Sequence, residues 1–195
     1  MSRKLQNQDK MLLSAIELIA EKGYKGVTTQ EIAKHAGFSE KTLFRNFGTK
    51  LNLLLTAYDR FHYGAEMTAL FHEKLVHDLP TDLKLISKTY HDLMNQNRKL
   101  IMISIKDEHL MDVLKDKAQN HPRQLLRILT EYLTQMQMEQ KIREDINPES
   151  LALAFMMMNF GAFMNNLDVE KSIYNMSLDT FVKDSVQIFV QGLKT

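Results

Sequence analysis

Apolar residues recur at helical spacing along almost the whole chain, and the strict alternation of a half-buried strand is nearly absent. Leu12, Ala15, Ile16 and Ile19 fall at i, i+3, i+4 and i+7. They make one stripe of a helix expected from about Gln8 to Lys22. Gly23 then reads as a stop signal, with Lys22 facing the negative helix end. Further helices are expected over roughly 49–77, 81–95, 98–118, 122–142, 148–166 and 178–193. Pro80, Pro122 and Pro148 each precede one of these patterns, where a missing N–H costs nothing and a fixed φ suits helix entry. Asn147-Pro148-Glu149 is the clearest: a cap, a proline, then an acid at the positive dipole end. Long helices on short connections imply an all-α bundle.

Two shorter helices are expected between Gly26 and Phe47. Thr28 and Glu31 make a capping-box pair, and Ile32, Ala33 and Ala36 give the helix behind them a small apolar face. Gly37 permits a tight turn with positive φ, and Ser39 caps the second helix. Leu43 and Phe47, four apart, anchor that helix inward and leave Glu40, Lys41, Thr42, Arg45 and Asn46 on or near its outer side. Two short helices joined by a Gly turn form a helix-turn-helix, whose second helix enters the DNA major groove. Lys and Arg pair with guanine edges, Asn with adenine, and Thr with a thymine methyl or a phosphate. The same pattern also suits a plain helical hairpin with a solvated polar face.

Charge is uneven along the chain. Net charge is +1, but residues 1–50 hold nine Lys+Arg against five Asp+Glu, and the rest is net acidic. A basic front end on a mildly acidic body suits phosphate binding, although so small a difference also arises without function. The absence of cysteine excludes disulfides, thiolate metal sites and cysteine nucleophiles, and is compatible with a reducing cytoplasm. Met1 to Lys10 lack the apolar core of a signal peptide. The run Leu151–Met164 is too short for a membrane span and carries Asn159, so no membrane partner is expected. The seven histidines show no metal-ligand spacing, so neither a metal nor a cofactor is expected.

The run from Leu12 to Leu55 resembles the DNA-binding domain of the TetR family of transcriptional regulators. The shared pattern stands here as Thr28-Thr29, Ile32-Ala33, Ala36-Gly37, Ser39, Leu43-Phe44, Phe47 and Lys50. The resemblance implies a three-helix helix-turn-helix domain over 1–49 and an effector-binding and dimerisation domain over 50–195, about nine helices in all. Double-stranded operator DNA is then the partner. Thr29 and Gln30 are placed near backbone and flanking bases; Ser39, Lys41, Thr42, Phe44, Arg45 and Asn46 fall on or beside the recognition helix, and Lys50 is placed on a phosphate. Phe44 departs from the family's usual Tyr, which loses one phosphate hydrogen bond worth about 0.5–1.5 kcal/mol. Asn46 replaces a frequent His. Arg3 and Lys4 are candidates for a flexible arm.

For the body, the resemblance implies a homodimer built on the last two long helices, with Leu151, Phe155, Met158, Ala162, Phe181, Ser185 and Phe189 in the interface. It also implies a pocket for a small apolar or amphipathic effector, with Phe61, Met102, Tyr132, Met136, Met157 and Phe160 as lining candidates. Thirteen methionines suit a deformable interior, and ordinary core packing explains the same residues. The expected activity is that of a cytoplasmic, dimeric repressor released from its operator by a ligand. An enzyme on a helical bundle is the second reading, disfavoured by the lack of any GxSxG, P-loop, GxGxxG or HExxH pattern. A helical interaction protein that has lost operator binding is the third.

Overall fold

The computed structural model describes residues 3–61, 64–106, 108–167, 173 and 176–193, and every described element is helical. In chain order these are α1 (Arg3–Lys22), α2 (Thr29–His35), α3 (Glu40–Phe47), α4 (Lys50–Arg60), α5 (Gly64–Glu73), α6 (Leu79–Gln96), α7 (Arg98–Lys106), α8 (Glu108–Met138), α9 (Pro148–Asn165) and α10 (Leu178–Gln191). The all-α architecture, with an N-terminal helix-turn-helix and a helical C-terminal part, is the one the periodicity anticipates.

Three boundaries differ from expectation. First, α1 is helical from Arg3, so Lys4 sits on a helix rather than a loose arm. Second, the segment expected as one helix over 49–77 is divided. Its first piece ends at Phe61, whose backbone leaves helical geometry at φ −110°, ψ 33°; residues 62 and 63 lie outside the described residues. Third, Pro122 does not start a helix but lies inside α8. An internal proline removes one backbone hydrogen bond and crowds the preceding turn, at about 3 kcal/mol. Buried Leu114 on one side and Leu125, Leu129 and Leu133 on the other hold α8 helical across it. Residue 107, within the helix expected over 98–118, is outside the described residues.

The chain divides into two packed units. The first comprises residues 1–62 and 97–119, and the second residues 63–96 and 120–195. In the first, α1 packs against α2, α4 and α7, and α3 against α2 and α4. Its core gathers Leu12, Ala15, Ile16 and Ile19 of the first stripe with Ile32, Ala33, Leu43 and Phe47, closed by Leu53, Leu54 and Leu100. In the second, α6 is central and packs against α5, α9 and α10. Two polar ties cross its interior. The Tyr132 hydroxyl donates to Asp82 at 2.8 Å, and Asp82 also accepts from the Val76 N–H at 2.9 Å. Asn159, within the otherwise apolar run Leu151–Met164 of α9, accepts from Ser87 and is paired with His91 Nε2 at 3.2 Å.

Candidate nucleic-acid interface

The helix-turn-helix is built by local bonds that the side chains dictate. The Thr28 N–H donates to the Glu31 carboxylate at 2.8 Å, and the Glu31 N–H donates back to Thr28 Oγ1 at 3.1 Å. The backbone hydrogen bond from Thr28, with help from its hydroxyl and from Lys22, holds the Glu31 carboxyl below its ordinary range. Gly37 then turns the chain at φ 81°, a conformation that L side chains rarely adopt. Phe38 N–H closes the turn on the Ala33 carbonyl at 2.8 Å. Ser39 caps α3, accepting from the Thr42 N–H at 3.2 Å. Leu43 and Phe47 are buried, so their position fixes which face of α3 is left outward.

Gln30, Ser39, Lys41, Phe44 and Arg45 are exposed, and Thr29, Thr42 and Asn46 are half-buried. Lys41 and Arg45 therefore present cations on the outer side of α3. Phe44 is 46% exposed, a large aromatic left outward beside them. Two of the expected contacts already have partners. The Thr29 hydroxyl donates to Glu40 at 2.5 Å and ties α2 to α3. Asn46 donates to the Thr42 carbonyl at 2.7 Å and accepts from Gln8 Nε2 at 3.3 Å. A cleft of about 510 Å³ runs beside these residues between α1 and α3, with Lys4 on one wall and Arg45 on the other.

Lys50 is placed differently from the expectation of a phosphate contact. Its ammonium donates to the carbonyls of Tyr24 and Val27, both at 2.6 Å, and lies 4.3 Å from the Tyr24 ring centroid. Burial lowers its pKa, partly offset by Glu31. Three donors on a compact ammonium are enough to hold a turn of backbone. Lys50 thus staples the connection between α1 and α2 to the start of α4.

The six expected pocket residues are divided between the two units. Phe61 and Met102 belong to the first unit, and Tyr132, Met136, Met157 and Phe160 to the second. Met136 is fully buried, Tyr132 is committed to Asp82, and Met157 and Phe160 are exposed at 51% and 37%. A narrow cavity does lie in the second unit, lined by Ile86, Tyr90, Leu125, Leu129, Met156 and Asn159 among others. The signal for it was Asn159 itself: a polar residue on a helix apolar all round must find buried partners. Of the expected interface residues, Leu151, Phe155 and Ala162 are buried within the chain's own core, and Met158, Phe181, Ser185 and Phe189 are half-buried. The apolar side chains left outward are Leu153, Met157 and Phe160 on α9 and Ile188 on α10. From Leu151 to Met164, α9 is apolar on nearly every side, so periodicity offers no polar face from which to fix its rotation.

Comparison with known proteins agrees with this geometry. Residues 12–57 match the family model of bacterial regulatory proteins of the tetR family. The chain is 28% identical over 184 residues, 94% of its length and 95% of the relative's, to the HTH-type transcriptional regulator YvkB of Bacillus subtilis. Its fold is similar to that of NalD, the secondary repressor of the MexAB-OprM multidrug efflux pump in Pseudomonas aeruginosa. The TM-score there is 0.76 at 18% identity, covering 99% of this chain and 98% of that one. The transcriptional regulator FadR from Bacillus subtilis, solved with stearoyl-CoA, matches with a TM-score of 0.73 at 20% identity over 94% and 98% of the two chains. Residues 12–57, a helix-turn-helix head with cations on its outer helix, thus match the TetR-family DNA-binding model, and the chain as a whole is similar to an HTH-type transcriptional regulator and, in fold, to a known repressor.

Proposed function

We propose that the protein is a dimeric repressor that leaves its operator when a small molecule binds its body. The observation that carries this reading is the outer side of α3, where Lys41 and Arg45 stand exposed on a helix whose opposite side is locked into the core by Leu43 and Phe47. Arg45 and Lys41 suit guanine edges or phosphates, and Asn46 suits adenine. Gln30, Ser39 and Thr42 lie where backbone contacts would set the register. Phe44 offers an apolar surface to a thymine methyl or a sugar in place of a phosphate hydrogen bond.

Residues 1–49 would read DNA, and residues 50–195 would respond and dimerise. The outward apolar residues of α9 and α10 supply a self-complementary face for a two-fold dimer, as such an interface requires. Two recognition helices then meet half-sites roughly one helical turn apart, ~34–36 Å. The narrow cavity lined by Tyr90 and Asn159 is the candidate effector site; at about 10 Å³ it holds no more than about one water, so an effector would have to open it, which the flexible side chain of Met156 favours. The FadR structure with stearoyl-CoA favours an apolar or amphipathic effector. Ligand binding would change the separation of the two heads, with coupling of about 1–3 kcal/mol, or 5–150-fold in DNA affinity. The setting is the cytoplasm, where operator DNA is accessible.

Selection of binding sites from random duplexes tests this reading. The expected product is an inverted repeat with half-site centres about 10–10.5 base pairs apart, or a multiple of that. Recovery of sequences with no common motif would contradict it.

A further inference from the structure

A carboxamide that reads a base must be held the right way round, because its two ends are alike in shape and opposite in chemistry. Adenine presents an acceptor, N7, beside a donor, the N6 amino group, and an Asn matches both only in one orientation. Asn46 lies on α3, and its orientation is set by two bonds of different origin. Its amino group donates to the Thr42 carbonyl, one turn back on the same helix, at 2.7 Å. Its oxygen accepts from Nε2 of Gln8 on α1 at 3.3 Å, across 38 residues of sequence. Each end keeps one unused position, a second N–H on nitrogen and a second lone pair on oxygen. If the amide turned over, its oxygen would face the Thr42 carbonyl, a repulsive contact, and the Gln8 bond would survive only if Gln8 turned its own amide over as well.

We infer that Gln8 is a positioning residue for operator specificity: from α1 it fixes which way the Asn46 amide faces, so that sequence reading depends on a helix outside the helix-turn-helix. Gln8 and Asn46 are both half-buried, in the region where Lys4, Asn7, Thr42 and Arg45 line the cleft between α1 and α3. The bond is therefore partly shielded from water without being closed to DNA. The inference rests on the reading of the head as a sequence-specific DNA binder. It assigns to α1 a share in specificity beyond its share in the core.

The test uses the full-length protein and two variants. Gln8→Ala removes the side chain at a helical position where Ala is favourable, and Gln8→Met keeps its bulk and removes the donor. Each is compared with wild type and Asn46→Ala by site selection, by affinity for the selected site and for random duplex, and by thermal midpoint. Both Gln8 variants should lower the ratio of specific to random affinity by about 5- to 20-fold, within the range of one bidentate base contact. The altered base preference should fall at the same base pair as in Asn46→Ala. Gln8→Ala/Asn46→Ala should be no worse than Asn46→Ala alone, as expected for residues acting through one contact. Random-duplex affinity and thermal midpoint should stay as in wild type. A wild-type motif that both Gln8 variants leave unaltered would overturn this inference alone. So would equal losses on specific and random DNA, or fully additive effects of the two substitutions. A wild-type protein that selects no motif would overturn the DNA-reading assignment, and this inference with it.

Discussion

Replacing Lys50 by Met separates two roles that a cation beside DNA can have. Met keeps the unbranched stem and removes the ammonium. The carbonyls of Tyr24 and Val27 then lose a charged donor at 2.6 Å each, and the Tyr24 ring loses a cation 4.3 Å from its centroid. A hydrogen bond to a charged group contributes about 1.5–3 kcal/mol net, and the half-buried setting puts each of these near the lower end. Water can replace part of the loss, but Val27 is only 1% exposed, so its neighbourhood admits little. The expected destabilisation is about 2–4 kcal/mol. For a chain of this size that lowers the thermal midpoint by roughly 5–15 °C, at ~2–4 °C per kcal/mol. The assay is thermal unfolding followed by circular dichroism, alongside the salt dependence of random-duplex binding well below the midpoint. The salt slope should match wild type, because a lysine bound to backbone neutralises no phosphate. An unchanged midpoint with a slope shallower by about one would refute the staple and restore the phosphate contact.

Other parts of the account are open to equally direct checks. Arg45→Ala should weaken binding to the selected site by about 1–3 kcal/mol more than binding to random duplex in an anisotropy titration; equal losses on both would contradict base reading. Ile188→Glu places a carboxylate on a side chain 71% exposed in the single chain, within the face proposed for dimerisation. Like charges brought together by the two-fold axis cost several kcal/mol, so sedimentation should show monomer at micromolar concentration with helicity retained, and a persistent dimer would move the interface elsewhere. His91 has its pKa lowered by burial, against smaller opposing effects of Asn159 and Asp92. Its folded value lies below its unfolded one, so its contribution to stability is complete above about pH 6.5 and is lost as pH falls towards the folded value. His91→Gln should therefore show a flatter loss of thermal midpoint between about pH 7 and 5 than wild type, and parallel curves would remove His91 as the cause.

The head was legible in the sequence because its signals are local. The Thr28–Glu31 box, Gly37 and the Ser39 cap each specify backbone geometry within four residues, and the apolar spacing of Leu12 to Ile19 meets that of Ile32 and Leu43 in one core. The connections of Lys50 and Gln8 were not legible, because each joins side chains or carbonyls more than twenty residues apart. Pro122 was misleading for a physical reason: a proline signal is read locally, but whether a helix passes through it depends on burial at both sides. In the body the elements were anticipated but their facing was not. An all-round apolar α9 gives no polar side to mark solvent, so Phe155 and Met157 could not be told apart as inward and outward. The polar tie of Asn159 to Ser87 and His91 needs α6 and α9 to be in place before it can be seen.

The central claim is sequence-specific DNA binding by the exposed side of α3. The most direct test is an anisotropy titration of the selected site and a scrambled duplex of equal length, from 50 to 200 mM salt. The account predicts a preference for the selected site of about 10³-fold or more, with affinity for both falling steeply as salt rises. Equal affinity for the two duplexes, or binding indifferent to salt, would contradict it.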